Sequence, residues 1–97
     1  MFRIHIHHWI GSTSFTIEGK LMGRCVLELE NCWRAEIAAE PINQIVVNLA
    51  AVSFVDAEGR ELLRQMRRQG ATLLARGCLM KAIVQEIEAG LSKEAHP

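Results

Sequence analysis

The chain has 97 residues, of which 49% are apolar, and its eleven basic and eleven acidic side chains give a formal net charge of zero. This length suits one domain with its own core, and the apolar content excludes a disordered chain. Zero net charge argues against bulk electrostatic capture of nucleic acid or an anionic membrane, and no apolar run approaches the ~20 residues of a membrane span.

The cysteines and the N-terminus limit the cellular setting. Cys25, Cys32 and Cys78 are odd in number and lack C-x-x-C spacing, which argues against a disulfide framework or a zinc knuckle. The first residues include three histidines and no apolar h-region, so they do not resemble a signal peptide. These features predict a small cytoplasmic protein with reduced thiols that pack as small apolar side chains.

The first two segments predict a β-hairpin. Residues 2–7 alternate, with Phe2, Ile4 and Ile6 on one face, which is typical of a half-buried strand. Residues 11–14 have turn chemistry and residues 15–18 alternate again, so we expect a long loop between the strands. Trp9 lies in or beside that loop, and we expect both tryptophans to serve packing.

From about Met22 the apolar period changes to that of a helix. The stripe consists of Met22, Val26, Leu29, Trp33 and Ile37. Pro41 ends this helix or closely follows its end.

The second half predicts two more strands and two more helices. Residues 45–47 are apolar and β-branched, as in a central strand covered on both faces, and residues 71–75 form a shorter strand. Between them, Gly70 ends a helix. A last amphipathic helix covers residues 79–91, which Gly90 is expected to cap, and residues 92–97 are expected to be a flexible tail.

Residues 52–63 link a strand to a helix through a tight turn. Asp56 stands at the N-cap, where its carboxylate can accept bonds from free N–H groups. Glu58 falls in the first turn, where the helix dipole favours a negative charge. Gly59 allows the helix start to approach a neighbouring strand. The exposed helix N-terminus predicts a docking point for another protein.

The predicted order is β-β-α-β-α-β-α in one domain, residues 1–97. Strands that alternate with helices indicate parallel pairing by right-handed crossovers, and the hairpin adds one antiparallel strand. The prediction is an α/β sandwich around a four-stranded mixed sheet.

The order and spacing of these segments resemble the STAS domain, the fold of anti-sigma factor antagonists and sulfate-transporter tails. The resemblance runs from about Phe2 to Leu91. It is carried by the segments 17–21, 45–49, 52–59 and 70–75. Its most specific part is an apolar strand followed by D-x-x-G at a helix start, here Asp56 to Gly59.

The resemblance has a specific departure at Glu58. Regulated members of the family carry D-S-S-G in this loop, and a partner kinase that is also an anti-sigma factor phosphorylates the second serine. Asp56 and Gly59 match that motif, whereas Ala57 and Glu58 do not. Because a carboxylate cannot be phosphorylated in this way, the resemblance implies that the switch is absent at this site.

Glu58 has two interpretations. In the first, its carboxylate imitates phosphoserine permanently and fixes one binding state, although phosphate carries about −1.5 to −2 charges and three acceptor oxygens. Alternatively, it is a favourable first-turn residue that contributes about 0.3–1 kcal/mol to the helix.

The four arginines of the same helix also have two interpretations. Arg60, Arg64, Arg67 and Arg68 form a basic face with few acidic residues between them. This face either meets an acidic partner surface or is a solvated face whose late cations suit the helix C-terminus.

No motif in the chain indicates catalysis. His5, His7 and His8 lack matched acidic or cysteine partners, so surface strand histidines are favoured over a metal site. Since no nucleophile elbow, P-loop, zinc-protease motif or paired carboxylates appear, we predict no enzyme, no cofactor and no metal.

The predicted function is therefore a protein-binding regulatory module. By resemblance, its partner is an anti-sigma factor or related histidine-kinase-like ATPase, and the output is transcription. The expected contact residues are Asp56, Ala57, Glu58, Gly59, Arg60 and Arg64. The alternative is a STAS subunit of an ABC-type lipid transporter that supports its ATPase. The sequence leaves the oligomeric state open.

Overall fold

The computed structural model describes residues 1–94 and shows four strands and three helices in the predicted order. The strands are β1 (Phe2–Trp9), β2 (Ser12–Leu21), β3 (Gln44–Val55) and β4 (Thr72–Leu74). The helices are α1 (Arg24–Ala39), α2 (Ala57–Arg68) and α3 (Cys78–Glu94).

The strands form one mixed sheet in the spatial order β1-β2-β3-β4. β1 and β2 are antiparallel, whereas β2–β3 and β3–β4 are parallel pairs. The β2–β3 register shifts twice, near Glu18 and near Lys20. The four-stranded mixed sheet with packed helices is confirmed.

One face of this sheet carries the core. β2 and β3 present alternate buried residues to the helices, including Phe15, Ile17, Val47 and Leu49. All three helices contribute to the same core cluster. Their buried apolar side chains are Val26, Leu29, Trp33, Leu62, Leu63, Met66, Met80, Ile83 and Ile87.

The other face of the sheet differs from the prediction. Val46 is only half-buried, as are its neighbours Ser14, Thr16 and Asn48 on the same face. Although residues 45–47 are all apolar, the strand is covered on one side only. The architecture is therefore two layers, with the helices packed on a single face of the sheet.

The hairpin connection is shorter than predicted. β2 already begins at Ser12, so the turn consists of Ile10 and Gly11, and Gly11 adopts φ 80°. Residues 12–14, which indicated a loop, pair with β1 instead. Thr13 is buried, and its hydroxyl is satisfied by Glu36, so its polar side chain does not require a turn.

The ends of the helices agree in part with the prediction. Pro41 follows the end of α1 by two residues, and Gly70, at φ 105°, follows the end of α2. Gly90 lies inside α3 and does not cap it, so that prediction is wrong. α3 continues to Glu94, and the last three residues of the predicted tail lie outside the described part of the chain.

Candidate functional site

The candidate site lies where β3 ends and α2 begins. The backbone N–H of Asp56 donates to the Leu21 carbonyl at the end of β2 (3.1 Å), which fixes the turn against the neighbouring strand. The two parallel strands therefore end side by side, and the helices that follow them start close together. This arrangement places the N-termini of α1 and α2 at one edge of the sheet.

The Asp56 carboxylate joins the two helix starts. Its Oδ1 accepts a hydrogen bond from the Gly59 N–H at 2.7 Å, which is the predicted N-cap interaction. Its Oδ2 accepts a second bond from the N–H of Gly23, the N-cap residue of α1, at 3.1 Å. Sequence reasoning missed this second bond, because the two residues are 33 positions apart.

Gly59 is packed tightly beneath this turn. A Cβ at this position would lie 2.8 Å from the Leu21 carbonyl oxygen and 2.8 Å from Cγ1 of Val55. Real Cβ atoms essentially never approach other atoms this closely. The prediction that Gly59 lets the helix start approach a neighbouring strand is confirmed.

The two central residues of the D-x-x-G turn face outward. Ala57 and Glu58 are exposed, whereas Asp56 is half-buried and Gly59 is buried. Asp56 and Gly59 therefore hold the turn in place, whereas Ala57 and Glu58 are accessible to another molecule. Glu58 lies in the first turn of α2, as predicted, beside the free N–H groups of that turn.

A shallow groove of about 190 Å³ runs between α1 and α2 beside Glu58. Its lining residues are Val26, Glu30, Glu58, Glu61, Leu62 and Gln65. Three of the six are carboxylates, and Glu30 is paired with Arg34 at 2.8 Å. The groove therefore has an apolar floor and an acidic rim.

Two exposed apolar side chains extend this surface at the start of α1. Met22 is 43% exposed and Leu27 is 58% exposed. Met22 directly precedes Gly23, whose N–H is bound by Asp56. We call the exposed surface formed by Met22, Leu27, Ala57, Glu58 and the groove the α1–α2 surface.

The arginines on the opposite side of α2 have acidic partners that the sequence did not reveal. Arg60 pairs with Glu86 of α3 at 3.4 Å, and Arg67 Nε donates to Glu88 of the same helix. These partners lie 26 and 21 positions away along the chain. The side of α2 predicted to be a uniform basic face is therefore the charged edge of its contact with α3.

Arg64 is the most enclosed of these arginines. A Cβ placed on Gly90 would lie 2.9 Å from Arg64 Nη1, so the side chain crosses α3 where that helix lacks a side chain. Its buried Nε has no hydrogen-bond partner within the described part of the chain, and Glu61 Oε2 lies 3.4 Å away as a counter-charge. Arg64 supports α2 from the α3 side.

A polar cluster lies under the opposite end of the hairpin. Glu36 of α1 is 8% exposed, and its carboxylate accepts a hydrogen bond from Thr13 Oγ1 (2.8 Å) and lies 3.0 Å from His8 Nε2. Burial acts to raise the pKa of Glu36, but the hydrogen bonds from His8 and Thr13 and the charge of His8 together hold it below its ordinary value. Sequence reasoning missed this cluster.

The histidines are divided between the two faces of β1. His8 contacts Glu36 on the core face, whereas His5 contacts Glu18 at 2.7 Å and His7 stacks against Trp9 with ring centroids 4.3 Å apart. Among residues 1–94, no three His, Cys, Asp or Glu side chains form a group that could hold a metal ion.

Two packing predictions fail. Trp9 is 60% exposed, whereas Trp33 is 1% exposed and lies in the core as predicted. Cys78 is exposed at the start of α3, while Cys25 and Cys32 are half-buried. Trp9 lies on the face of β1 that the helices do not cover, and Cys78 is the first residue of α3.

No protein-family profile matches the sequence, and no curated protein matches it. No helix within the described residues is long and apolar enough to cross a membrane.

Solved structures do match its fold. An anti-sigma factor antagonist from Mycobacterium paratuberculosis superposes with a TM-score of 0.78 at 21% identity, covering 97% of this chain and 82% of that protein. The anti-sigma factor antagonist SpoIIAA in its unphosphorylated form superposes with a TM-score of 0.69 at 20% identity, covering 98% and 99%. The chain therefore has the SpoIIAA-like fold expected from the resemblance to STAS domains.

Proposed function

We propose that this chain is a non-catalytic regulatory module that binds a partner protein through the Asp56–Gly59 turn and the α1–α2 surface. The observation that carries the proposal is the contrast between the fixed and the exposed residues of the turn. Asp56 and Gly59 are fixed by contacts with β2 and α1, while Ala57 and Glu58 are exposed at the tip of α2. A rigid turn loses little conformational entropy on binding, so its exposed residues are well suited to recognition.

The proposed partner is an anti-sigma factor of the histidine-kinase-like ATPase class. The fold shared with two anti-sigma factor antagonists supports this class. In the proposed mechanism the module occupies the anti-sigma factor in the cytoplasm of a bacterium, sigma is released, and transcription follows. No covalent step on this chain is required.

The charges of the α1–α2 surface indicate what the partner presents to it. Glu58 and Glu61 line the groove together with Glu30, and Met22 and Leu27 add apolar contact area. A basic partner surface with an apolar centre complements this arrangement. Arg60 and Arg64 lie on the α3 side of α2, so in this proposal they position the helix and do not contact the partner.

Glu58 makes binding independent of a kinase at this position. It has no hydroxyl to accept a phosphoryl group, so no kinase adds charge at this position. We propose constitutive binding that is controlled by the amount of partner. If Glu58 instead imitates phosphoserine, Glu58→Ser and Glu58→Ala will both change affinity, and an affinity unchanged from wild type in both variants would leave only the helix-stabilising role.

The test is affinity capture followed by titration. Immobilised wild-type protein is exposed to lysate of the source organism, and the captured protein is identified and purified for calorimetry. We expect a histidine-kinase-like ATPase, bound at least about tenfold more weakly by Glu58→Lys because like charges would then meet across the contact. Glu40→Lys, an exposed charge reversal at the other end of α1, is the matched control and should bind like wild type.

Two results count against the proposal. Unchanged affinity of Glu58→Lys would remove the turn from the interface. Capture of a transporter ATPase with its permease would replace the sigma pathway by the lipid-transport alternative, while leaving the α1–α2 surface in place.

A further inference from the structure

β1 is an edge strand with a long regular outer side. Within residues 1–94 its one strand partner is β2, with which it pairs over all eight residues without a register shift. The backbone N–H and C=O groups that point away from β2 therefore face no other strand of the described chain. Such a row of groups is a template for pairing with another strand.

β1 lacks the features that usually protect a sheet edge. It contains no proline, glycine, lysine or bulge, and its basic side chains are Arg3 and three histidines. β4, at the other edge of the sheet, is only three residues long. Protected edges are typically short, bulged or charged. β4 is short, whereas β1 is eight residues long, has no bulge and carries Arg3 near its start only.

The side chains of β1 add apolar area along the same edge. Ile6 is 39% exposed although it points to the core face, and Trp9 is 60% exposed on the opposite face. Phe2 and Ile4 are partly buried against the core and share the face of Ile6. The apolar side chains that pack on the core therefore extend to the outer strand β1, where part of their surface stays exposed.

We propose that β1 pairs antiparallel with β1 of a second copy, forming a dimer with one continuous eight-stranded sheet. An antiparallel strand related to itself by a two-fold axis presents the same groups in both directions, so one edge is sufficient for both partners. Residues that face each other across antiparallel strands have their side chains on the same face of the sheet. The two-fold axis must therefore lie between the two copies of one residue, so that this residue faces itself. Centring it on His5 or Ile6 keeps most of the strand paired.

Both registers place compatible side chains opposite each other. With His5 at the axis, Ile4 of each copy faces Ile6 of the other copy. With Ile6 at the axis, the two Ile6 side chains face each other. Arg3 then lies opposite His7 or Trp9 and never opposite itself. The Arg3 side chains of the two copies therefore do not face each other in either register.

This dimer is independent of the proposed partner site. The α1–α2 surface is built at the ends of β2 and β3, whereas the dimer uses the outer side of β1. Edge pairing of this length buries less surface than a standard protein–protein interface, so we expect a dissociation constant on the order of micromolar.

Sedimentation equilibrium from about 5 to about 500 µM tests the dimer. The wild-type protein should shift from one to two chain masses across this range, and Ile6→Lys should weaken association at least tenfold by placing like charges near the axis. Ile42→Lys introduces the same change at a side chain 94% exposed in the turn after α1 and should associate like wild type. A monomeric wild type throughout, or an equally dimeric Ile6→Lys, overturns the proposal.

Disulfide trapping identifies the surface. In a background with Cys25, Cys32 and Cys78 replaced by serine, a single cysteine from His5→Cys or Ile6→Cys should form a disulfide dimer on oxidation. Residues that face each other across antiparallel strands have Cα atoms ~4.5–5.5 Å apart, which is within disulfide range. Ile42→Cys should remain monomeric. A sedimenting dimer that neither strand cysteine traps would use another surface, and β1 pairing would be wrong.

Discussion

Gly59 and Leu21 are in such close contact that the gap between them leaves no room for a side chain. A Cβ at Gly59 would lie 2.8 Å from the Leu21 carbonyl oxygen. The same carbonyl oxygen accepts a hydrogen bond from the backbone N–H of Asp56, which holds it against the turn. The end of β2 thus sets the position of α2, and with it the exposure of the residues at its tip.

Gly59→Ala should destabilise the protein. The added methyl group meets the Leu21 backbone oxygen and the stiff, buried Val55 side chain, so α2 or β2 must move, and overpacking of this kind typically costs about 1–3 kcal/mol. Urea denaturation followed by circular dichroism measures the change. We expect a lower midpoint with an unchanged slope.

Gly90→Ala is the matched control for that experiment. It also adds a methyl group to a glycine near a helix contact, but the nearest atom is Nη1 of the Arg64 side chain at 2.9 Å, which can move. Alanine is favoured over glycine inside a helix by about 1 kcal/mol, which offsets the displacement. If Gly90→Ala were as destabilising as Gly59→Ala, the close approach to β2 would not be the cause.

Substitutions of Asp56 should show a graded loss of stability. Asp56→Asn retains one oxygen acceptor, so one of the two bonds to Gly59 and Gly23 remains, while Asp56→Ala loses both. An N-cap is worth about 1 kcal/mol and a further hydrogen bond about 0.5–1.5 kcal/mol. The free energy of unfolding should therefore fall from wild type to Asn to Ala. Equal values for wild type and the Asn variant would show that the bond lost in Asn contributes nothing, and equal values for the Asn and Ala variants would show the same of the retained bond.

The order of elements was predictable because each segment carries its own period. Residues 2–7 alternate at period two, and the buried residues Leu62, Leu63 and Met66 follow a helical stripe. The D-x-x-G turn was predictable for the same reason, because the capping residue Asp56 and the N–H group that it binds, at Gly59, lie three positions apart. Local chemistry was sufficient for both the fold and the position of the candidate site.

Contacts between distant segments were not predictable in this way. The partners of Arg60 and Arg67 come from α3, and Glu36 binds Thr13 and His8 across 23 and 28 residues. Residues 45–47 indicated a strand covered on both faces because apolar content reports burial tendency without reporting what packs there. Such contacts depend on which elements become neighbours, and a single sequence does not specify this directly.

The Arg67–Glu88 pair should contribute little to stability. Both side chains are partly exposed, at 39% and 46%, and exposed ion pairs typically contribute about 0.2–1 kcal/mol. A double-mutant cycle with Arg67→Ala and Glu88→Ala should give a coupling energy in this range that decreases in high salt. A coupling above about 2 kcal/mol would indicate that the pair holds α2 and α3 together.

Glu36 gives the protein an acid-dependent contribution to stability. Its folded-state pKa is lowered, because the bonds from Thr13 and His8 and the charge of His8 outweigh the effect of burial. This contribution is therefore present above the unfolded-state pKa and is lost as the pH falls through the folded-state pKa. The cluster connects α1 to both strands of the hairpin, so its loss loosens β1 in particular.

Glu36→Gln should reduce the free energy of unfolding at pH 6 by about 1–3 kcal/mol, the usual cost of disrupting a buried charged hydrogen bond. The gap between wild type and variant should narrow as the pH is lowered through the folded-state pKa of Glu36, since wild-type Glu36 then becomes neutral as well. Denaturation curves at several pH values measure this, with Glu28→Gln as the control because Glu28 is an exposed carboxylate of the same helix. A gap that stays constant over this range would mean that the ionised carboxylate does not stabilise the cluster.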